Sequence, residues 1–274
     1  MTTELTKPKP RRRWLQYSLR TFFVLLTVLC VWLGWLTYKA NEQRKAVEWV
    51  REMGGTVFYN YGFDEDGHEA DAPGPKWLRE MLGREFLDQV VSVGFSTTQV
   101  SDVTPLAGLT SLEHLDLSQT PVSDLTPLVG LQSLDYLVLS MTQFSDVTPL
   151  ARLKSLEYLD LSTTQVSDLT PLTKLTSLEV LWLSSSTQVT NLIPLAKLTS
   201  LERLYLNHTQ VSDLTPLTTL TSLQILYHNN TQVSDLTPLA TLTNLQELDL
   251  DNTPVSKEQV EELRKALPNC DIRF

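Results

Sequence analysis

Residues Leu112 to Leu128 read L-E-H-L-D-L-S-Q-T-P-V-S-D-L-T-P-L, and residues Leu156 to Leu172 read L-E-Y-L-D-L-S-T-T-Q-V-S-D-L-T-P-L. The last seven letters recur along the chain every 22 residues, with a single spacing of 23 residues. Self-similarity at a fixed period of this length predicts a stacked array of repeats. The polar position of the phrase falls at Asp102, Asp124, Asp146, Asp168, Asn191, Asp213 and Asp235, with Lys257 in a degenerate last copy.

The first half of each repeat alternates apolar and polar residues over a short stretch, which predicts a β-strand of about four residues. Leucines such as Leu115 and Leu117 point to one face of this strand, and the residue between them, Asp116, points to the other. We therefore expect a sheet with one face in the core and one face presented to solvent.

The second half of each repeat contains the step T-P-L. Threonine before proline predicts the start of a helical or 3₁₀ turn, with the threonine hydroxyl as the cap and proline at the first helical position. This step begins at Thr104, Thr126, Thr148, Thr170, Thr215 and Thr237.

The complete pattern resembles the leucine-rich repeat, and within it the 22-residue class of the bacterial internalins, over residues 90–256. The resemblance implies an α/β solenoid, an arc of about eight parallel strands on the concave side with 3₁₀ turns on the convex side. It also implies binding, but not which ligand is bound. We expect a protein or polysaccharide partner. This chain has threonine where asparagine usually stands, and we expect the hydroxyls to bond backbone groups in the turn after each strand. These threonines are Thr98, Thr120, Thr142, Thr164, Thr187, Thr209, Thr231 and Thr253.

An uncharged apolar stretch covers residues 21–38, which is close to the length needed to cross a bilayer core of about 30 Å. The alternative is a cleaved secretory signal, because basic residues precede the stretch. No small-x-small pair follows it, however, since Tyr38 stands two positions before Ala40. The sequence therefore favours an uncleaved signal anchor.

The charges that flank this stretch predict its orientation. Six basic residues and one acidic residue lie in residues 1–20, whereas the basic residues that follow the stretch are mixed with glutamates. The positive-inside rule then predicts residues 1–20 to be a cytoplasmic tail, with the repeats on the far side of the membrane. The alternative is a cytoplasm-facing, membrane-tethered scaffold or inhibitor of a basic enzyme.

Both ends of the array are predicted to carry caps. Residues 39–89 form a helix-strand-helix pattern, in which the second helix follows a Pro-Gly-Pro segment, and residues 257–274 contain an amphipathic closing helix with a short strand after it. Only Cys30 and Cys270 are present, and Cys30 lies in the apolar stretch, so no intramolecular disulfide is expected. Caps of this kind protect the edges of a solenoid.

Composition excludes several classes of function. Beyond residue 20 the chain has 16 basic and 31 acidic residues, a balance of −15, which does not suit nucleic acid. No phosphate-binding loop, nucleophile elbow or dinucleotide turn is present, and four scattered histidines do not form a zinc motif. We therefore expect no catalytic residues, no cofactor and no metal site. Acidic residues 247–251 and 64–71 are interpreted as a solvated rim and a loop.

The outward strand positions carry the candidate partner-binding residues. Aromatic side chains fall on five adjacent strands, in two rows offset by two residues, and an arginine stands beside them. Aromatic residues and arginine are enriched in binding hot spots, although aromatic residues also pack with their neighbours in any sheet. The predicted site consists of Tyr136, Tyr158, Trp182, Arg203, Tyr205 and Tyr227.

Overall fold

The computed structural model describes residues 19–60, 77, 83, 87–95 and 99–274. These residues form a single ten-stranded sheet in which the spatial order of the strands is their order along the chain. β1 pairs antiparallel with β2, and every later pair is parallel. The strands are β1 (Thr56–Tyr59), β2 (Val90–Gly94), β3 (His114–Asp116), β4 (Tyr136–Val138), β5 (Tyr158–Asp160), β6 (Val180–Trp182), β7 (Arg203–Tyr205), β8 (Ile225–Tyr227), β9 (Glu247–Asp249) and β10 (Asp271–Arg273).

Each repeat strand is three residues long with a buried leucine at its centre. Leu115, Leu137 and Leu159 lie opposite one another in successive strand pairs, and all three are fully buried. The core is thus a stack of leucine layers, and each layer covers the next. The repeated strands and their 3₁₀ turns confirm the predicted leucine-rich-repeat solenoid.

Seven 3₁₀ helices form the opposite side of the solenoid, and proline occupies the first or second position of each. The prediction that the threonine hydroxyl caps these turns is wrong. The preceding aspartate provides the acceptor, because Asp102 Oδ1 accepts the Thr104 N–H at 2.9 Å, and Asn191 plays the same part for Ile193. The helices are η1 (Thr104–Gly108), η2 (Thr126–Gly130), η3 (Thr148–Arg152), η4 (Thr170–Lys174), η5 (Ile193–Lys197), η6 (Thr215–Thr219) and η7 (Thr237–Thr241).

The hydrogen bond to the threonine also affects the aspartate. The Thr104 hydroxyl and then its backbone N–H lower the pKa of Asp102, and the same pairing lowers the pKa of Asp124 beside Thr126. The threonine of the T-P-L step therefore stabilises a turn in front of the helix, in which a short polar side chain bonds the backbone two residues later.

A tight turn after each strand contains one residue in the left-handed region and then a buried hydroxyl. The hydroxyl donates to the carbonyl oxygen three residues earlier, as Thr209 does to Leu206 at 2.7 Å. This confirms the expected hydroxyl-to-backbone bonds at five further positions, and Thr98 lies outside the described residues. The five are Thr120, Thr142, Thr164, Thr231 and Thr253.

The prediction of an inward threonine is wrong at the repeat with the 23-residue spacing. Thr187 is exposed, and Ser186 occupies the buried position instead with no accessible surface. The Ser186 hydroxyl donates to the Leu161 carbonyl of the neighbouring repeat at 2.9 Å. The extra residue is therefore accommodated after the buried hydroxyl, at the surface, and the strand register is unchanged across the step.

The first helix, α1 (Leu19–Glu52), is continuous over 34 residues. Its first part is exposed and apolar, and by length and composition the helix could cross a membrane. Its last part joins the solenoid, because Ala46, Val47 and Val50 are buried in the common core. The predicted apolar stretch and the predicted cap helix are therefore two parts of one helix.

The end of α1 depends on two glycines. Gly54 has φ +78°, which favours glycine, and a Cβ at Gly55 would come within 2.8 Å of both Val50 and Phe95. The chain then returns as β1 along the outer edge of β2. The predicted second cap helix, residues 76–87, falls largely outside the described residues.

At the other end the helix α2 (Lys257–Ala266) and the strand β10 close the array. Ser256 and Gln259 form a capping box, in which each side chain accepts the backbone N–H of the other residue. Val260 and Leu263 are the buried side chains of α2. The last repeat is thus covered by an apolar helix face.

Candidate binding surface

The parallel register places the outward side chains of the strands in two straight rows across the concave face. The first row, from the first residue of each strand, is His114, Tyr136, Tyr158, Val180, Arg203, Ile225 and Glu247. The second row, from the third residue, is Asp116, Val138, Asp160, Trp182, Tyr205, Tyr227 and Asp249. All six candidate partner-binding residues therefore lie on one face.

The five candidate aromatic rings form two groups. Tyr136 and Tyr158 stack with ring centroids 4.0 Å apart and planes 10° apart. Trp182 and Tyr205 stack at 3.6 Å and 13°, and Tyr227 meets Tyr205 edge to face at 5.3 Å and 90°. Each ring is half-buried as a result. In each stacked pair, one face of each ring is covered by its partner.

Arg203 stands on the first row beside the second aromatic group, and its side chain is exposed. Burial raises the pKa of Tyr205, and the nearby Arg203 guanidinium opposes this rise. Burial, together with a hydrogen bond between the Tyr158 and Tyr136 hydroxyls, also raises the pKa of Tyr158. Tyr158 and Tyr205 therefore remain neutral hydrogen-bonding groups at neutral pH.

Three buried polar atoms lie in or next to the second row without a hydrogen-bond partner among the described residues. They are the indole Nε1 of Trp182 and the hydroxyls of Ser162 and Ser184, and each serine lies two residues after the end of a strand, β5 or β6. An unpaired buried polar atom costs about 1–3 kcal/mol. Such groups are rare in native proteins and are often retained for function.

A column of carboxylates that the sequence analysis missed borders the first row. An acidic residue directly precedes each of the five strands β3 to β7, at the N-terminal edge of the concave sheet. The signal was available in the repeat register, at the second position of each L-x-x-L-x-L motif. These residues are Glu113, Asp135, Glu157, Glu179 and Glu202.

The acidic rim near the last strands is held by hydrogen bonds. The Tyr227 hydroxyl donates to Glu247, the Asn229 amide donates to Asp249 Oδ2 at 2.7 Å, and Asp249 Oδ1 accepts the Asp251 N–H. No group of three residues able to hold a metal ion occurs in the part of the chain that the structure describes. The acidic loop at residues 64–71 lies outside that part.

His228 occupies an inward position that is leucine in the neighbouring repeats, and it has no accessible surface. Its Nδ1 lies 3.2 Å from the Thr231 hydroxyl, and its Nε2 has no partner among the described residues. Because Thr231 donates its proton to the His228 carbonyl, the ring must donate from Nδ1. Burial lowers the pKa of His228 to about 4, so the ring is neutral and belongs to the core, not to the concave surface.

Comparisons with known proteins agree with this fold. The family described as Leucine Rich repeats (2 copies) matches residues 132–174 and 176–219. No curated protein matches the sequence. Two solved structures of Listeria monocytogenes proteins are similar in both sequence and fold.

The first of these is internalin C2, which is 35% identical with a TM-score of 0.64 over 67% of this chain and 80% of its own. The second is the internalin inlF, which is 34% identical with a TM-score of 0.61 over 64% of this chain. The present chain spans 51% of the length of inlF. The matches to both internalins, together with the repeat register and the 3₁₀ turns, show that this chain belongs to the leucine-rich-repeat family, with repeats of the internalin type.

Proposed function

We propose that this chain is a membrane-anchored leucine-rich-repeat protein that binds a protein partner on its concave face. The observation that carries the proposal is the aromatic surface of Tyr136, Tyr158, Trp182, Tyr205 and Tyr227. Solenoids of this kind use an extended concave surface for binding, and clustered aromatic residues with an arginine have the composition of a hot spot.

The ring geometry favours a protein over a polysaccharide. Sugar rings bind by lying against the open face of an aromatic ring, but the stacked faces of Tyr136 and Tyr158, and of Trp182 and Tyr205, are covered by each other. The half-buried tyrosines and tryptophan instead offer apolar contact and hydrogen bonds, which protein interfaces use. A polysaccharide ligand remains the second candidate.

We further propose that α1 is an uncleaved anchor, with residues 1–20 in the cytoplasm and the repeats on the other side of the membrane. The exposed apolar part of the helix supports the anchor, since it is 18 residues long between Thr21 and Tyr38. Alkaline phosphatase fused after Phe274 will be active if the repeats are exported. An inactive fusion, with the protein present in the membrane, would instead support the cytoplasm-facing scaffold.

Binding can be tested by site-specific photocrosslinking of the full chain in the cells that produce it. A photoreactive phenylalanine analogue at Tyr205 should give a discrete adduct with another protein, and the adduct should disappear when Trp182 is changed to alanine. Ile193 is the control position, because it is 68% exposed but lies in η5 on the opposite side of the solenoid. Equal adducts from both positions, or adducts from Ile193 alone, would contradict the proposal.

A further inference from the structure

The N-terminal edge of the concave sheet carries a column of acidic residues. The five carboxylates at the edge of the concave sheet, Glu113, Asp135, Glu157, Glu179 and Glu202, face no lysine or arginine within ion-pair distance among the described residues. Three basic residues of the same repeats, Arg152, Lys174 and Lys197, stand at the ends of successive 3₁₀ helices on the opposite side. Arg203 lies on the concave face, directly after Glu202, but forms no ion pair with it.

The acidic column is unfavourable for the isolated protein. Neighbouring parallel strands lie about 4.8 Å apart, so like charges repeat at short intervals along the sheet edge, which destabilises it. Within the part of the chain that the structure describes, Asp135 alone of the five has an ion-pair partner that can carry a positive charge, His114, whose Nε2 lies 4.0 Å away. That contact also shows that the column reaches the first outward row, where the Tyr136 ring stands next to His114.

We propose that the partner of the concave face presents a lysine- and arginine-rich segment to this edge while its apolar side chains contact the aromatic rings. This proposal rests on the proposed function and specifies the chemistry of the partner. Charge complementarity carries it, because an acidic edge beside an apolar face attracts a basic segment and repels an acidic one.

A matched pair of triple variants tests this with the full chain in nanodiscs of neutral lipid. The test variant is Glu157→Gln, Glu179→Gln and Glu202→Gln. The control is Asp124→Asn, Asp146→Asn and Asp168→Asn, which removes the same charge from the turns before the 3₁₀ helices. Asparagine is accepted there, because Asn191 makes the same hydrogen bond at that position.

The probe is a fluorescent peptide of alternating lysine and serine, and its counterpart contains glutamate in place of lysine. We expect the lysine peptide to bind with strong salt dependence, and the test variant to weaken its affinity about tenfold, which corresponds to three modest charge contacts. The control variant should change the affinity by less than about twofold. Equal loss in both variants, or no preference for the lysine peptide, would overturn the proposal.

The two proposals can fail separately. If the natural partner crosslinks to Tyr205 and the Glu157, Glu179 and Glu202 variant binds it normally, the basic segment is wrong and the binding face stands. If the lysine peptide binds as expected but no protein crosslinks at Tyr205, the acidic edge is a cation-binding surface and the proposed aromatic binding face is wrong.

A second inference rests on the proposed membrane anchor and follows from the direction of α1. Glu42 packs against Gly108, which precedes β3. Gln43 Nε2 donates to the carbonyl oxygen of Asp88, which precedes β2. Further along the helix, Trp49 contacts Phe95, which follows β2. The helix therefore runs in the same direction as β2, and its apolar first part extends beyond the N-terminal edge of the sheet.

We infer that the array lies side-on above the membrane, with the N-terminal edge of the concave strands towards the lipid, so that the basic segment of the partner would lie between this edge and the headgroups. The helix continues without a break from the apolar part into the buried cap, so the anchor determines the tilt of the solenoid. The junction is tied further by Lys39, whose ammonium lies 3.4 Å from the Thr110 hydroxyl. The aromatic face would then look sideways, along the membrane surface.

Energy transfer from single labelled cysteines to a labelled lipid headgroup tests this arrangement, in a background with Cys30→Ser and Cys270→Ser. Ser155 and Gln165 are both exposed and flank β5 at its two ends. We expect Ser155→Cys to transfer more efficiently than Gln165→Cys. Ser133→Cys and Thr243→Cys, at the same edge of distant repeats, should transfer about equally, whereas an array standing on end would make Thr243→Cys much weaker.

Insertion of four glycines between Tyr38 and Lys39 provides the matched control for this measurement, because it uncouples the anchor from the cap. The difference between Ser155→Cys and Gln165→Cys should then largely disappear. Equal transfer from these two positions in the uninterrupted chain would overturn the side-on arrangement.

Discussion

The repeat that contains β4 and the repeat that contains β8 have the same backbone but different interiors. In both, the strand pairs residue for residue with its neighbours, and a left-handed residue precedes a buried threonine. The inward residue after the strand is Leu139 in the first and His228 in the second, and both have no accessible surface. A solenoid repeat can therefore hold a polar residue in a core layer, because its neighbours on both sides keep the backbone in register.

The largest expected effect comes from placing the histidine in the regular repeat. Leu139→His removes a buried leucine and leaves a ring nitrogen without a partner, so we expect a loss of about 3–5 kcal/mol in the free energy of unfolding. Urea unfolding of the full chain in detergent, followed by circular dichroism, measures it. A loss below about 1 kcal/mol would mean that a contact with the buried Thr142 is sufficient to stabilise a histidine at position 139.

The reverse substitution, His228→Leu, should stabilise the protein by about 1–3 kcal/mol, because it restores the leucine layer and removes the unpaired Nε2. It should also change the pH dependence. The folded pKa of His228, about 4, lies below its ordinary value of 6.5, so the unfolded state binds the extra proton first. The wild-type protein should therefore lose stability as the pH falls from about 6.5 to about 4, by up to about 3 kcal/mol.

The control for this prediction is the difference between the two proteins measured at several pH values. The stability advantage of His228→Leu should grow below pH 6.5 and reach a plateau near pH 4. A difference that does not change with pH would show that His228 is accessible to protons in the folded state.

Much of this fold could be predicted from the sequence because each repeat carries the same physical pattern. The alternation around Leu115 and Leu117 predicted the strand, and the T-P-L step predicted the 3₁₀ turn. The residue that accepts the backbone N–H in each turn was harder to predict, since aspartate and threonine are both good acceptors for it. At the 23-residue step, Ser186 and Thr187 both carry a hydroxyl, and the repeat pattern does not show which of the two is buried.

The candidate surface was predicted only in part. The register placed Trp182 and Tyr205 on one face, but ring stacking depends on side-chain rotamers, which a repeat pattern does not determine. Carboxylates such as Glu157 directly precede the alternating stretch that predicts each strand, so that pattern does not place them on the concave face. The continuity of α1 could not be predicted, because the uncharged apolar stretch is followed by charged residues at 39–45.

The smallest expected effect concerns the left-handed residue in the turn after the strand. Here the repeat that contains β8 has the residue better suited to its position. Met141 has φ +58° and Asn230 has φ +55°, a region in which asparagine is tolerated better than an unbranched apolar residue. Met141 is also 57% exposed, so little packing is lost when it is replaced. Met141→Asn should therefore stabilise the protein by about 0.5 kcal/mol, and Asn230→Met should destabilise it by a similar amount. Parallel urea titrations of the two variants would measure both changes, and a loss of stability in Met141→Asn would mean that the methionine makes contacts that outweigh the backbone strain.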